Sequence, residues 1–318
     1  MPDGIRAWQF GDYPLALQEF RPAAEKGNAK AQTYLGVAYD MGQGVQRDYG
    51  QARIWFERAA RQDDDLAQCA LAVMYELGQG VERSDSAAAF WFARSARKGN
   101  AEAQYHLAAL YDAGLGVPQD RAQAVLWCRR SAEGGNGQAQ HDMGLRCEYG
   151  KDVPQSDSEA VLWYRRSAKS GDKDAQYRLG RLCALGRGVA RDPREALRWY
   201  RRAADQADPR ALLEMGAIYA RDPAAGSRSA ALAAYDLSMS ADTAHSNPAR
   251  ARRDSLAYKL TLREFDEGNA LAMRLFRGRR TLSQEIDVFL LEKALEPVAF
   301  PILRADFLCD YLRFPELR

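Results

Sequence analysis

A ruler of 36 residues runs through most of this chain: Ala-Gln stands at 31–32, 67–68, 103–104, 139–140 and 175–176, with Ala211-Leu212 in the sixth place. Trp55, Trp91, Trp127, Trp163 and Trp199 fall on the same ruler, and Ala52, Ala88, Ala124, Ala160 and Ala196 precede them by three residues. Self-similarity at such a period marks a repeat architecture, in which each unit is one supersecondary element that cannot bury its apolar face alone. Run backwards, the ruler lands on Ala16, so a half-unit from Asp12 to Lys26 precedes the first full one.

Each unit reads as two short helices. The first runs from the Ala-Gln pair through a helically spaced set of apolar and small residues and stops at Gly42, Gly78, Gly114, Gly150 or Gly186. Four units continue as Gly-x-Gly-Val, beginning at Gly42, Gly78, Gly114 and Gly186, where glycine can take the left-handed conformation that ends a helix. The fourth unit carries Asp152 at the second glycine, a residue that tolerates that conformation better than most. Asp48, Ser84, Asp120, Ser156 and Asp192 then open the second helix as side-chain acceptors for its first N–H groups. Ser156 with Glu159, and Asp192 with Glu195, have capping-box spacing, and Pro193 holds the favoured first helical position. Gly99, Gly135 and Gly171 mark the ends of second helices.

The string Ala-Gln-x-x-Leu-Gly-x-x-Tyr-x-x-Gly-x-Gly-Val-x-x-Asp-x-x-x-Ala-x-x-Trp resembles the Sel-one-like repeat, a relative of the tetratricopeptide repeat, over about residues 12–240. The resemblance implies an all-α, right-handed superhelical solenoid of helical hairpins whose first helices line a concave groove. It implies no reaction, and it points to a non-enzymatic scaffold that binds a protein partner. Within the family the roles include immunity proteins that neutralise phospholipase-type toxins of type VI secretion, envelope-assembly adaptors and signalling adaptors. The partner expected is therefore another protein, a secreted effector or toxin among the options.

The sixth unit decays: Arg221, Asp222 and Pro223 replace the glycine loop, and Tyr235 stands where tryptophan would be. Residues 1–240 are thus expected to be solenoid, and 241–318 a C-terminal helical cap. Residues 248–276 read as an amphipathic helix over the last apolar face, and the segment beyond Gly278, with Phe289, Phe300, Phe307 and Phe314, as part of the cap or as a docking surface.

Composition narrows the function. Lys+Arg is 45 against Asp+Glu 43, a net charge of +2, which removes the electrostatic case for a nucleic-acid binder. No stretch approaches the ~20 apolar residues of a membrane span, so a soluble chain is expected, periplasmic if a leader once preceded Met1 and cytoplasmic otherwise. The five cysteines include no CxxC pair, which argues for small buried thiols, and for neither a metal site nor a cofactor. Cys147 and Cys183, one unit apart, should lie a helix-packing distance of roughly 10 Å from each other and stay unbonded. His106, His141 and His245 occupy unrelated positions. Without a nucleophile elbow, a Walker loop or a zinc motif, no catalytic residue is assigned.

Alignment with the tetratricopeptide relative places four positions of each first helix in the groove. The position nine residues after the Ala-Gln alanine reads Asp40, Glu76, Asp112 and Glu148. An acid near a helix C-terminus opposes the macrodipole, so the row suggests either an acidic stripe for a basic partner or a solvated habit of the repeat. Beside it stand Tyr105, His141 and Tyr177, two residues after the alanine, a candidate contact centre because tyrosine is favoured in interfaces. The alternative is that these rings pack on the adjacent helix. Arg58, Arg94, Arg130, Arg166 and Arg202 recur in the last turns of second helices, where the dipole favours cations. The tryptophan row reads as packing between helices.

Overall fold

The computed structural model describes residues 2–221 and 248–257. Every element in that range is a helix, and no strand occurs among the described residues. After α1 (Pro2–Gln9) come α2 (Tyr13–Glu25), α3 (Ala29–Met41), α4 (Tyr49–Arg61), α5 (Asp65–Leu77), α6 (Asp85–Arg97), α7 (Ala101–Ala113) and α8 (Arg121–Glu133). Then follow α9 (Gly137–Tyr149), α10 (Asp157–Lys169), α11 (Lys173–Leu185), α12 (Pro193–Asp205) and α13 (Pro209–Arg221), and a further helix spans Pro248–Ala257. Helices α2 to α13 are each 13 residues long, with bounds that repeat at the period of the sequence. The chain is an all-α solenoid of helical hairpins. The readings of the sixth unit past 221, of the amphipathic stretch past 257 and of the segment beyond Gly278 lie outside the described residues.

Two compact units divide the described residues, one up to Ala139 and one from Gln140 onwards, and the division falls inside α9. In the first unit each helix from α1 to α7 packs on the next; in the second, α10 packs on α11, α11 on α12 and α12 on α13.

The caps form as the sequence indicates. Side-chain oxygens of Asp48, Ser84, Asp120, Ser156 and Asp192 accept from the backbone N–H groups of Gln51, Ala87, Gln123, Glu159 and Glu195. Only this forward half of the capping box forms, because Glu195 accepts instead from Arg165 at 3.1 Å and from the Trp199 indole at 3.4 Å. The second glycine of the loop meets two demands at once. Gly116 has φ +69°, and a Cβ there would stand 2.1 Å from the Asp85 carbonyl oxygen. Asp152 adopts φ 60° at the equivalent place and pairs with Arg146 at 3.0 Å.

Within each hairpin a buried side chain on the second helix, a ring in four of the five, stands in register with a small residue on the first. Phe56, Tyr164 and Tyr200, each the residue after a tryptophan, are at most 1% exposed. A Cβ on Gly36, Gly144 or Gly180 would approach those rings to 2.6, 2.5 and 2.7 Å. The other two hairpins carry Ala72 with Phe92 and Ala108 with Cys128 in these positions. Trp55 and Trp91 are half-buried, while Trp127, Trp163 and Trp199 belong to the buried core, so the tryptophan row packs between helices beside the residues that follow it.

Hairpins are hooked to their predecessors by the glutamine of the Ala-Gln pair. Gln32, Gln68, Gln104 and Gln176 donate from Nε2 to the carbonyl oxygens of Ala24, Ala60, Ala96 and Ala168 at the ends of the preceding second helices, each of which also accepts a backbone N–H from the turn that follows. Cys69, Cys128, Cys147 and Cys183 are buried free thiols, and Cys147 and Cys183 are not bonded to each other. Gly144→Ala is expected to destabilise the protein by about 1–3 kcal/mol, the usual cost of overpacking a full core, because the Tyr164 ring it strikes is anchored through its hydroxyl and cannot swing away. Denaturant unfolding measures this as a fall in the midpoint at unchanged slope.

Candidate functional site

The recurring arginines of the second helices have a structural employment. Their guanidinium carbons stand over the tryptophan rings one turn earlier: Arg58 over Trp55 and Arg130 over Trp127 at 4.7 Å, Arg166 over Trp163 and Arg202 over Trp199 at 4.8 Å, and Arg94 over Trp91 at 5.4 Å. Cation–π contact joins the dipole as a reason for the row.

In the first unit, the first-helix face carries Asp40 on α3, Glu76 on α5, and Tyr105 and Asp112 on α7, all half-buried. Tyr105 lies edge-on to the His106 ring at 6.2 Å. His106 is 3% exposed and stacks flat on Phe92 at 4.7 Å. Its Nδ1 is 3.3 Å from Glu76 and its Nε2 is 3.2 Å from Glu102, whose other oxygen accepts from Asn136 at 2.7 Å. Burial works against a charged ring here, but hydrogen bonds and charges from Glu102 and Glu76 outweigh it and raise the pKa of His106 above its ordinary value. Asp40 differs. Burial lifts its carboxyl from 3.8 to about 6 against the opposing field of Arg47, and no described residue forms a hydrogen bond or ion pair with it.

In the second unit, Glu148 on α9 is 3% exposed. Its Oε2 accepts from the Tyr164 hydroxyl at 2.9 Å and from Arg178 at 3.3 Å, while Arg187 stands 4.0 Å from Oε1. Arg187 also grips Asp157 through two hydrogen bonds of 2.9 and 2.7 Å. Burial, reinforced by the adjacent Glu148 charge, pushes the Tyr164 phenol far up. His141 lies 6.0 Å from the Tyr164 ring, and Tyr177 lies 6.0 Å from Tyr200. Arg210 covers the Tyr177 ring at 4.6 Å and is itself paired with Asp174 and Asp208.

Each ring of the aromatic row leans on neighbours within its own unit. The acidic row divides by environment: Glu148 is neutralised inside the unit, Glu76 is shared with His106, and Asp40 meets only the field of Arg47. Glu102, Arg178 and Arg187 escaped the sequence reading. The signal that would have found Arg178 is a spacing of 30, which links Glu76 to His106 and Glu148 to Arg178 on consecutive first helices.

Among the described residues no three His, Cys, Asp or Glu converge as metal ligands would, and no helix is long and apolar enough to cross a membrane. Two open indentations, of about 610 and 580 Å³, lie at equivalent loops beside Tyr75, Gly80 and Val81 and beside Tyr39, Gly44 and Val45. Their recurrence on the ruler makes them features of the repeat.

Stacked helical hairpins that carry their polar chemistry on open helix faces define a repeat scaffold of the tetratricopeptide type. The chain belongs to the Sel1 repeat family, whose profile matches residues 29–64, 65–100, 101–136, 137–172 and 173–208. A Sel1 repeat protein from Oxalobacter formigenes is 32% identical with a TM-score of 0.65, covering 76% of this chain and 99% of its own. The protective antigen c5321 of uropathogenic Escherichia coli, with an SLR fold, is 26% identical with a TM-score of 0.41, over 90% of this chain and 75% of its own. The immunity protein Pa5087 of Pseudomonas aeruginosa is 19% identical with a TM-score of 0.39, over 67% and 81%. No curated protein sequence matches the chain significantly.

The raised pKa of Asp40 fixes the sign of a pH effect. A carboxyl that is easier to protonate in the folded state stabilises the fold below its ordinary value of 3.8, and that contribution is lost as pH rises towards about 6. Asp40→Asn should abolish this loss and raise stability at neutral pH by about 1–3 kcal/mol, the upper figure discounted for partial exposure. Thermal unfolding of both proteins at several pH values tests it, and a variant no more stable than the parent at neutral pH would contradict the assignment.

Proposed function

We propose that the protein is a protein-binding scaffold that engages its partner through the face of the first helices, with Tyr105, His141 and Tyr177 as contact residues and Asp40, Glu76 and Asp112 as its acidic component. The observation that carries this reading is the aromatic row itself. Rings recur at a position where the neighbouring units hold Thr33, Cys69 and Leu213, so the fold does not require them, and they stay partly open to solvent. Glu148, committed to Tyr164 and Arg178, contributes to the shape of the face rather than to its charge.

The narrower reading, an immunity protein that neutralises a phospholipase-type toxin of type VI secretion, rests on the family resemblance, as do the envelope and signalling alternatives. Co-expression with the product of the neighbouring gene separates them: a stoichiometric complex that abolishes a toxic activity supports immunity, and the absence of one removes that role while leaving the scaffold reading intact.

Truncating Tyr105 or Tyr177 to Ala should weaken partner binding by about 1–3 kcal/mol, as for residues near an interface centre, without moving the unfolding midpoint comparably. Neutralising Asp40 and Asp112 together should slow association and flatten its dependence on salt. Binding kinetics at two ionic strengths read both effects. Tyrosine variants that bind normally would move the partner site off this face.

A further inference from the structure

His106 stands with both ring nitrogens against carboxylates, Nδ1 3.3 Å from Glu76 of α5 and Nε2 3.2 Å from Glu102 of its own helix. A neutral imidazole has one N–H and one lone pair, so it serves one of these acceptors and turns its lone pair on the other. The imidazolium, with two N–H groups, serves both. At 3% exposure little water reaches the ring to make up the difference. Its flat stack on Phe92, 4.7 Å between centroids and 2° between planes, sets the cation on an aromatic face. In the second unit Arg178 occupies the same register and meets Glu148 at 3.3 Å. Arginine stays charged throughout the pH range of proteins, so the fold accepts a permanent cation in this register, and His106 is its titratable counterpart.

We propose that His106 is a proton-operated latch of the first-helix face, which as imidazolium pins Glu76 to α7 and as neutral imidazole releases it. The inference rests on the reading of that face as the contact surface, and it adds how the face is regulated. The charges that act on the ring are those of Glu102 and Glu76. Tyr105 meets its edge from α7, and α6 supplies the uncharged Phe92. Glu76 is the partner that lets go, because Glu102 lies one turn away on the same helix and its other oxygen accepts from Asn136 at 2.7 Å. Deprotonation leaves the remaining N–H with Glu102 and a lone pair towards Glu76, and the three groups pass from one net negative charge to two. Burial opposes the charged ring, but the hydrogen bonds and charges of Glu102 and Glu76 prevail and lift its pKa above the ordinary 6.5. The latch therefore contributes its full stability below 6.5 and loses it as pH rises through the raised value. A partner meets a fixed Glu76 on the acid side of that transition, and a freed acid with one more net negative charge on the alkaline side.

The test follows the whole protein by NMR, with isotope-labelled histidine and glutamate, from mildly acidic to alkaline pH. Both ring nitrogens of His106, whose signal is the one that His106→Arg removes, should carry protons at pH 6.5. Loss of one proton at higher pH should shift the Glu76 carboxyl resonance with the same midpoint. Glu76→Gln should lower that midpoint. His106→Arg, which copies the arrangement of Arg178, should keep Glu76 locked and abolish its transition; if that variant does not fold, Glu76→Gln decides alone. A ring already neutral at pH 6.5 would place the proton on a carboxyl and overturn the proposal. So would a Glu76 resonance that stays still when the ring loses its proton, or an unchanged midpoint in Glu76→Gln. If the latch fails while Tyr105→Ala still loses the partner, the scaffold reading stands and only the latch falls. If the latch titrates as described while Tyr105→Ala binds normally, the contact surface lies elsewhere and the regulatory role is overturned.

Discussion

Everything in this solenoid depends on how closely two helices of a hairpin can approach. Where Phe56, Tyr164 and Tyr200 lie against Gly36, Gly144 and Gly180, the missing Cβ lets an aromatic ring press on helix backbone. Because interiors are packed to crystal-like density, that one contact fixes the distance and rotation of the pair. The other features then follow in register: the Gly-x-Gly-Val loop has a set gap to cross, the next Ala-Gln helix meets the groove left by its predecessor, and the glutamine reaches back to a carbonyl at the end of the preceding second helix.

Most of this was legible in the residues. Helix starts could be read from Asp48, Ser84, Asp120, Ser156 and Asp192, because a capping side chain acts within three residues of itself. The left-handed glycines could be read because a backbone conformation is a local property, and Asp152 in the same conformation shows that the position is the constraint rather than the residue type. The core was read less well. The periodic tryptophans stand out by their size, yet the most deeply buried side chain is the residue after each one, which varies among Phe, Cys and Tyr and so makes no simple repeat.

The candidate site was legible by position and illegible by environment. The ruler showed that Asp40, Glu76, Asp112 and Glu148 share a place on their helices. It did not show that one is held by tyrosine and two arginines, another by a histidine, and a third only by the field of Arg47, because those differences come from side chains outside the helix itself. Equivalence in a repeat is equivalence of backbone; charge and solvation are set by neighbours that need not repeat. The arginine row makes the same point in reverse: the dipole explains where it lies, and the tryptophan beneath each arginine explains why it recurs with the tryptophan.

Helices that begin and end at identical places in successive units make each stretch of 36 residues an interchangeable cassette. Recombination between units can remove or add one without breaking a helix, but it changes which side chains become neighbours across the new junction. Excising residues 65–100 would carry the α7 helix into the place of α5 and set His106 opposite Asp40, giving a hairpin array one unit shorter in which the lone acid acquires an internal cation. Duplicating the same stretch would instead set Glu76 opposite a second Ala70 and create a new unpaired acid. Changes in repeat number thus rewrite the electrostatics of the face, so a lineage that varies only the length of this protein also varies what it can bind.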